Sequence, residues 1–204
     1  MQPIPTLKYE EVVRAPYDRG AIVRDDFPGF REDYLAIHCL IREYRPRRIV
    51  EIGTSTGSGT NVLCRAMRIR RFWYNGGRRV LSIDVPPGTD SSIIYPGDEP
   101  EDGHPAEAGS ECRFPYDQLF GDSGTFDFSP YYPIDAWFID GKHSYDYVVR
   151  DSEQALRSRP HLVIWHDLQI DGVHRAIRDV MASRPEFDVY RIGDTRVGAA
   201  IRRP

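Results

Sequence analysis

Arg48-Ile-Val-Glu-Ile-Gly-Thr-Ser-Thr-Gly-Ser-Gly-Thr60 decides the fold of this chain. A short β-branched run carries an acidic residue near its end, and glycines and small hydroxyl residues then lead into a helical pattern. This is the pattern of a buried parallel strand that turns sharply and feeds a helix N-terminus. Gly53 and Gly57 permit the tight turn and let a ligand lie against bare backbone. Glu51 is expected at the strand's carboxyl edge, where its carboxylate can accept hydrogen bonds from hydroxyls or an ammonium group. Read alone, the segment is also compatible with an ordinary strand–helix corner, because lone glycine motifs are weak.

Two nucleotide loops compete for the same residues. A phosphate-binding P-loop needs Gly-x4-Gly-Lys-Ser/Thr, and no lysine occurs between Lys8 and Lys142. A dinucleotide fingerprint needs G-x-G-x-x-G, whereas Gly57-Ser-Gly-Thr-Asn-Val62 lacks the third glycine. An acidic residue before the turn also suits a ligand with a positive charge better than a pyrophosphate. The segment resembles the first motif of class I S-adenosylmethionine-dependent methyltransferases.

Working outward, strands and helices alternate. Residues 31–45 predict a helix with Tyr34, Leu35, Ile37, His38, Leu40 and Ile41 largely on one side, stopped by Pro46. Strand 48–52 is followed by a helix from about Ser58 to Arg71 and a second strand over 79–84. Residues 116–120 predict a third strand, 134–140 a fourth and 161–165 a fifth, with a helix over 145–159 between the last two. Asp171 is placed to cap a helix carrying Val173, Ala176, Ile177, Val180 and Met181. Segments 187–192 and 197–201, joined by Gly193-Asp-Thr-Arg196, close the chain as a hairpin. The expected fold is α/β: a doubly wound, mostly parallel seven-stranded sheet with a C-terminal antiparallel hairpin. The hairpin is a second resemblance to the class I methyltransferase fold, which is Rossmann-like.

Carboxylates recur where these strands end: Glu51, Asp84, Asp122, Asp140 and Asp167. Any one of them has a plain explanation as a cap or turn former. Together, along the edge where open α/β sheets bind ligands, they read as the rim of a polar site. Under the resemblance, Glu51 lies near the methionine amino group, and the loop of Gly53, Thr54, Ser55 and Gly57 passes beneath the donor. Asp84 takes the ribose hydroxyls, and Asp122 with Ser123 contacts adenine. Asp140 borders the donor site.

Phe138-Ile-Asp-Gly-Lys-His-Ser-Tyr145 and Val163-Ile-Trp-His-Asp167 carry the next step. Together they resemble the catechol-type O-methyltransferases. Closer still is the group in which an I-D-G-x-H-x-Y segment precedes a strand ending in H-D or D-D, which includes antibiotic and sugar O-methyltransferases. The resemblance covers roughly residues 30–180. It implies magnesium, or another divalent metal, on Asp140, His166 and Asp167, lowering the pKa of the acceptor oxygen and orienting it. Magnesium prefers oxygen ligands, so His166 is a departure. It weakens magnesium binding, favours a softer metal, or signals that no metal is used, and the sequence leaves these open. His143 is the preferred general base, because imidazole titrates near neutral pH, and Lys142 is the second choice. The ordinary alternative for His143 is a solvated loop or helix-cap histidine. Trp137 and Tyr145 read as core packing, and Trp165 fits either role.

Composition bounds the remainder. A chain of 204 residues suits one methyltransferase-sized domain, with residues 1–30 as an irregular arm and 85–113 as an acidic Pro/Gly-rich lid or insertion. Cys39, Cys64 and Cys112 form no C-x-x-C, so neither a disulfide framework nor a zinc site is suggested. With no signal-peptide pattern and no apolar run near the ~18 residues of a membrane span, the chain reads as cytoplasmic and without a membrane partner. The net charge of −4 and the seven carboxylates between Asp90 and Glu111 argue against a nucleic-acid substrate. Arg45–Arg48 and the arginines at 68–79 belong at the sheet edge opposite the site. The expected function is O-methylation of a small hydroxylated metabolite or sugar, with dimerisation available to complete the pocket. The competing readings are a donor-binding scaffold without catalysis, or an aminopropyltransferase or hydroxylase-like relative on the same fold.

Overall fold

The computed structural model describes residues 4–7, 31–69, 76–87, 89 and 108–204. Most of the arm at 1–30 and of the segment 85–113, predicted as a lid or insertion, lies outside the described residues.

The elements, in chain order, are β1 (Thr6–Leu7), α1 (Arg31–Tyr44), β2 (Arg48–Ile52), α2 (Ser58–Ala66), β3 (Arg79–Asp84) and β4 (Asp117–Phe120). They continue with β5 (Ala136–Ile139), α3 (Tyr145–Arg157), β6 (Leu162–Trp165), α4 (Asp171–Met181), β7 (Phe187–Ile192) and β8 (Gly198–Arg202). One sheet runs in the order β1-β7-β8-β6-β5-β2-β3-β4. β2 to β6 are mutually parallel, and β8 lies antiparallel between β6 and β7. This is the expected mostly parallel sheet with its terminal hairpin.

Besides shifts of one or two residues at several element ends, three differences from the reading of the sequence are larger. The arm supplies an eighth strand: Thr6 and Leu7 pair with Arg191 and Ile192, and the Arg191 amide donates to the Pro5 carbonyl at 2.9 Å. The hairpin would otherwise leave an open edge of unpaired amides on β7. α2 stops at Ala66 rather than Arg71, because Met67 and Arg68 leave the helix and Arg68 adopts φ 58°. The strand predicted over 134–140 keeps only Ala136–Ile139.

Alternation along the strands divides the core into two layers. Val50, Ile52, Leu81, Ile83, Trp137, Ile139, Val163 and Trp165 pack towards α3 and α4. Ile49, Val80, Ala136, Phe138, Leu162 and Ile164 pack towards α1 and α2. Trp137 and Trp165 are fully buried, and their indole N–H groups donate to Ser158 Oγ at 2.9 Å and Ser152 Oγ at 3.0 Å. Both tryptophans are therefore core residues, each contributing about 3 kcal/mol through burial while its polar handle stays satisfied.

The chain winds from β2 to β3 and β4, then returns across β2 to β5 and β6, which makes the β2/β5 boundary the topological switch point. Crevices at such points, beyond the carboxyl ends of the strands, hold ligands. At the opposite edge, Arg47 and Arg48 donate backbone amides to Asp135 Oδ2 at 2.8 and 2.9 Å, away from the switch point as predicted.

Candidate active site

The ladders continue one residue past the strand ends and set out the site. Gly53 donates to the Ile83 carbonyl at 2.9 Å, Asp140 to Ile52 at 2.9 Å and His166 to Ile139 at 3.1 Å. The glycine loop, the Asp140 segment and the His166 segment therefore leave neighbouring strands side by side.

The glycines also serve packing within the fold. Gly53 (φ 91°) faces protein: an added Cβ would lie 2.2 Å from the Asp140 carbonyl oxygen. Gly57 (φ 93°) faces residues 109–112, with Gly109 Cα and the Cys112 Cβ each 3.0 Å from an added Cβ. On the side where a Cβ would stand, both glycines admit neighbouring chain. Segment 109–113 is tied to the loop by Gly109 N–H to Ser55 O (2.8 Å), Glu111 N–H to Thr56 O (2.9 Å) and Asn61 side-chain bonds to Glu111 and Arg113. Thr54 is buried, and its hydroxyl lies 2.7 Å from that of Ser82.

Glu51 is not on the rim. It shares the Ile49 face of β2 and points under α2, fully buried. Its Oε2 accepts from the Thr60 and Ser82 hydroxyls at 2.5 Å, while Oε1 has no hydrogen-bond partner. Burial pushes its carboxyl up to about 8 despite the two hydroxyls. Gly59 makes room for it: an added Cβ there would sit 2.6 Å from Glu51 Oε1.

Asp84 ends β3 with its carboxylate already aimed. Oδ2 accepts the Ser55 amide at 2.7 Å and Oδ1 the Val85 amide at 2.8 Å. Each oxygen keeps a further lone pair.

Asp122 and Ser123 are engaged within the fold. Asp122 accepts the Gly124 amide at 3.0 Å and closes its own turn. The Ser123 hydroxyl donates to Asp151 Oδ1 on α3 at 2.7 Å. Asp151 is a buried acid that burial raises to about 7. The reading of the sequence did not single out Asp151.

The second cluster gathers four predicted residues. One ligand atom each from Asp140, His166 and Asp167 falls within 4.8 Å of the others. His166 Nδ1 lies 2.9 Å from Asp167 Oδ2 and 3.3 Å from Asp140 Oδ1. His143 Nε2 stands 3.0 Å from Asp167 Oδ2 and 3.9 Å from Asp140 Oδ1, an ion-pair contact without hydrogen-bond alignment. Asp167 adopts φ 56°, tolerable for aspartate, which folds its carboxylate back towards both histidines. The Asp140 and Asp167 carboxylates raise His143 to about 9. The same two carboxylates and Asp33 outweigh burial and raise His166 to about 11. Asp167 is held far below the ordinary carboxylate range by the two histidines, against the opposing effect of burial. Lys142 is half-buried on the same turn.

Two members of the cluster were missed. Asp33, in the first turn of α1, accepts from His166 Nε2 at 3.2 Å and from the Arg196 side chain at 2.7 Å. Its other oxygen accepts the Arg196 amide at 2.8 Å. In sequence, Asp33 is an ordinary acid at a helix start and Arg196 a turn residue; nothing in their spacing pairs them. Next to Asp33, the Tyr34 phenol bonds to Ser58 and is pushed up by burial and by the Asp140 and Glu51 carboxylates, so it stands between the glycine loop and the cluster.

The donor set of one imidazole nitrogen and two carboxylate oxygens, close enough to converge on a small ion, fits a divalent metal.

Residues 50–168, more than half of the chain, match the family described as a methyltransferase domain. No protein with a curated description matches the sequence significantly. Among solved structures, an O-methyltransferase from Bacillus cereus in complex with SAH aligns over 95% of this chain and 90% of its own, with TM-score 0.57 and 18% identity. TomG from Streptomyces achromogenes, an O-methyltransferase of tomaymycin synthesis in complex with SAM, covers 90% and 92%, with TM-score 0.58 and 20% identity. A TDP-rhamnose 3'-O-methyltransferase of calicheamicin biosynthesis covers 87% and 84%, with TM-score 0.57 and 20% identity. At these identities the structures speak for the fold, and the family match over the glycine loop, the Asp140 segment and His166–Asp167 speaks for descent: the chain belongs to the methyltransferase-domain family.

Proposed function

We propose that the chain is an S-adenosylmethionine-dependent O-methyltransferase acting on a small hydroxylated acceptor, with a divalent metal at the Asp140–His166–Asp167 cluster. The observation that carries the reading is the adjacency of two sites across the switch point. Asp84 and the 53–57 loop lie on the β2/β3 side, and His143 with the metal-fitting cluster on the β5/β6 side. Similar folds bound to SAH and SAM support the choice of donor.

In this reading, Asp84 receives the ribose hydroxyls, its carboxylate held by the Ser55 and Val85 amides. Glu51, buried under α2 and held by Thr60 and Ser82, supports the loop from beneath without touching the donor. The sulfonium methyl passes in line to the acceptor oxygen, so the acceptor must be held close to it at a fixed angle. Asp140, His166 and Asp167 would hold a metal that lowers the pKa of that oxygen when bound. His143 takes the acceptor proton at Nε2. Its raised pKa comes from the two carboxylates beside it, so neutralising them returns it towards the range of a working base.

Titration of the protein with S-adenosylhomocysteine by calorimetry, with and without magnesium or manganese, tests the reading. Micromolar binding that Asp84→Ala abolishes supports the donor site, and methyl transfer to a hydroxylated acceptor that needs His143 supports catalysis. Absence of donor binding in every condition overturns the proposal. Donor binding without turnover on any acceptor leaves a binding protein instead.

A further inference from the structure

We propose that Asp33 is a positioning residue for His166, and that the pair makes the Asp140–His166–Asp167 cluster select a divalent transition metal of the manganese or cobalt type over magnesium. The inference rests on the metal-assisted reading of this site and adds to it a residue and a metal class.

The geometry gives His166 only one way to serve. Asp33 and His166 are both almost fully buried. Asp33 Oδ1 accepts the Arg196 amide, and Oδ2 accepts the Arg196 side chain and faces His166 Nε2 at 3.2 Å. Fixed by Arg196 on both oxygens, the carboxylate offers acceptors only. His166 Nε2 therefore carries its hydrogen and donates it to Asp33. By the same reasoning Nδ1 carries a hydrogen towards the Asp140 and Asp167 oxygens at 3.3 and 2.9 Å while no metal is bound, and it is the nitrogen a metal would take in place of that hydrogen. The backbone holds the ring in place as well, through His166 N–H to Ile139 O at 3.1 Å and Leu168 N–H to Arg196 O at 2.9 Å.

A carboxylate behind a ligating imidazole fixes its tautomer and raises its donor strength. Magnesium gains little from a nitrogen donor, whereas affinity for first-row transition ions climbs from manganese to cobalt and beyond. The histidine that departs from an all-oxygen set is, with Asp33 behind it, the selective element of the site.

The test titrates the full chain with Mn2+, Co2+ and Mg2+ by calorimetry and records the visible spectrum of the Co2+ form. Expected is tighter binding of Co2+ and Mn2+ than of Mg2+. Asp33→Asn should weaken Co2+ and Mn2+ about 10–100-fold and shift the Co2+ bands, with a smaller change for Mg2+. Arg196→Gln removes the side-chain half of the helix-to-hairpin clamp while leaving the Arg196 amide bond and the Asp33–His166 contact, and should lower melting temperature while changing metal affinity far less than Asp33→Asn does. Equal losses in the two variants, or Asp33→Asn with wild-type affinity, overturn the positioning role. Magnesium binding as tight as cobalt overturns the selectivity. A wild type that binds none of the three ions removes the metal reading and this inference with it, while S-adenosylhomocysteine binding still reports on the methyltransferase reading. One readout needs no variant: 15N NMR of the Zn2+-loaded wild type should find Nε2 protonated and Nδ1 ligated, and the reverse overturns the proposal.

Discussion

Asp33 Oδ2 and His166 Nε2 lie 3.2 Å apart although 133 positions separate them in the chain. The first turn of α1 is therefore part of the site wall. The cluster at the carboxyl ends of β5 and β6 is fastened to it from outside the sheet.

Asp84→Ala should lower affinity for S-adenosylhomocysteine by about 100-fold, the loss of charged hydrogen bonds worth roughly 2–3 kcal/mol. The Ser55 and Val85 amides lose their acceptor as well, so loop disorder adds to the effect. Calorimetry on wild type and variant, with melting temperature as control, separates the two contributions.

Glu51 gives the apoprotein a pH-dependent liability. Its folded pKa of about 8 lies above the unfolded value, so the unfolded chain releases its proton first as pH rises. Stability attributable to this residue is intact below the unfolded pKa, near 4.5, and is lost progressively up to about 8. Glu51→Gln keeps the shape and an acceptor for Thr60 and Ser82. Between pH 5 and pH 8 the variant should lose less stability than wild type in parallel urea melts, and equal losses would refute the buried-acid account.

Ser123→Ala separates the adenine contact expected from the sequence from the bond seen in the fold. Removing the hydroxyl that donates to Asp151 should cost about 1–2 kcal/mol of stability. Donor affinity should stay within a few-fold of wild type. A large loss of affinity with unchanged melting would restore the adenine role.

Gly59→Ala should destabilise the protein even though alanine is the better helix former by about 1 kcal/mol. The new methyl group would meet Glu51 Oε1 at 2.6 Å and Phe138 at 3.0 Å, and Glu51 is pinned by two hydroxyls. A melting temperature at or above wild type would refute this packing account.

His143 is held up to about 9 by Asp140 and Asp167. A base must be neutral, so metal-free turnover, where measurable, should rise with pH towards about 9 and flatten in His143→Gln. The matching stability contribution runs the other way. It is present below the unfolded histidine pKa of about 6.5 and is lost as pH climbs through the folded value. A rate profile unchanged by the substitution would remove His143 from proton transfer.

The sequence by itself determined the order of strands and helices, the parallel sheet with its hairpin, and which segments reach the carboxyl edge. These follow from local chemistry: β-branched runs, glycine turns and a period of two or 3.6 need no distant partner to be read. The places of Asp84, Asp140, His166 and Asp167 were legible for the same reason, since a residue at the end of a parallel strand has its place set by topology. Tertiary structure decided the rest. Glu51 sits one residue before the end of β2 and shares the Ile49 face, so the pleat sends it under α2 instead of onto the rim. Gly53 and Gly57 are filled by the backbones of residues 140 and 109–112, which approach from other elements. Ser123 is claimed by Asp151, and His166 by Asp33 and Arg196, through contacts that exist only once α3, α1 and the hairpin have docked. Which group a side chain faces depends on elements far away in the chain, and that information arises only when the sheet brings them together.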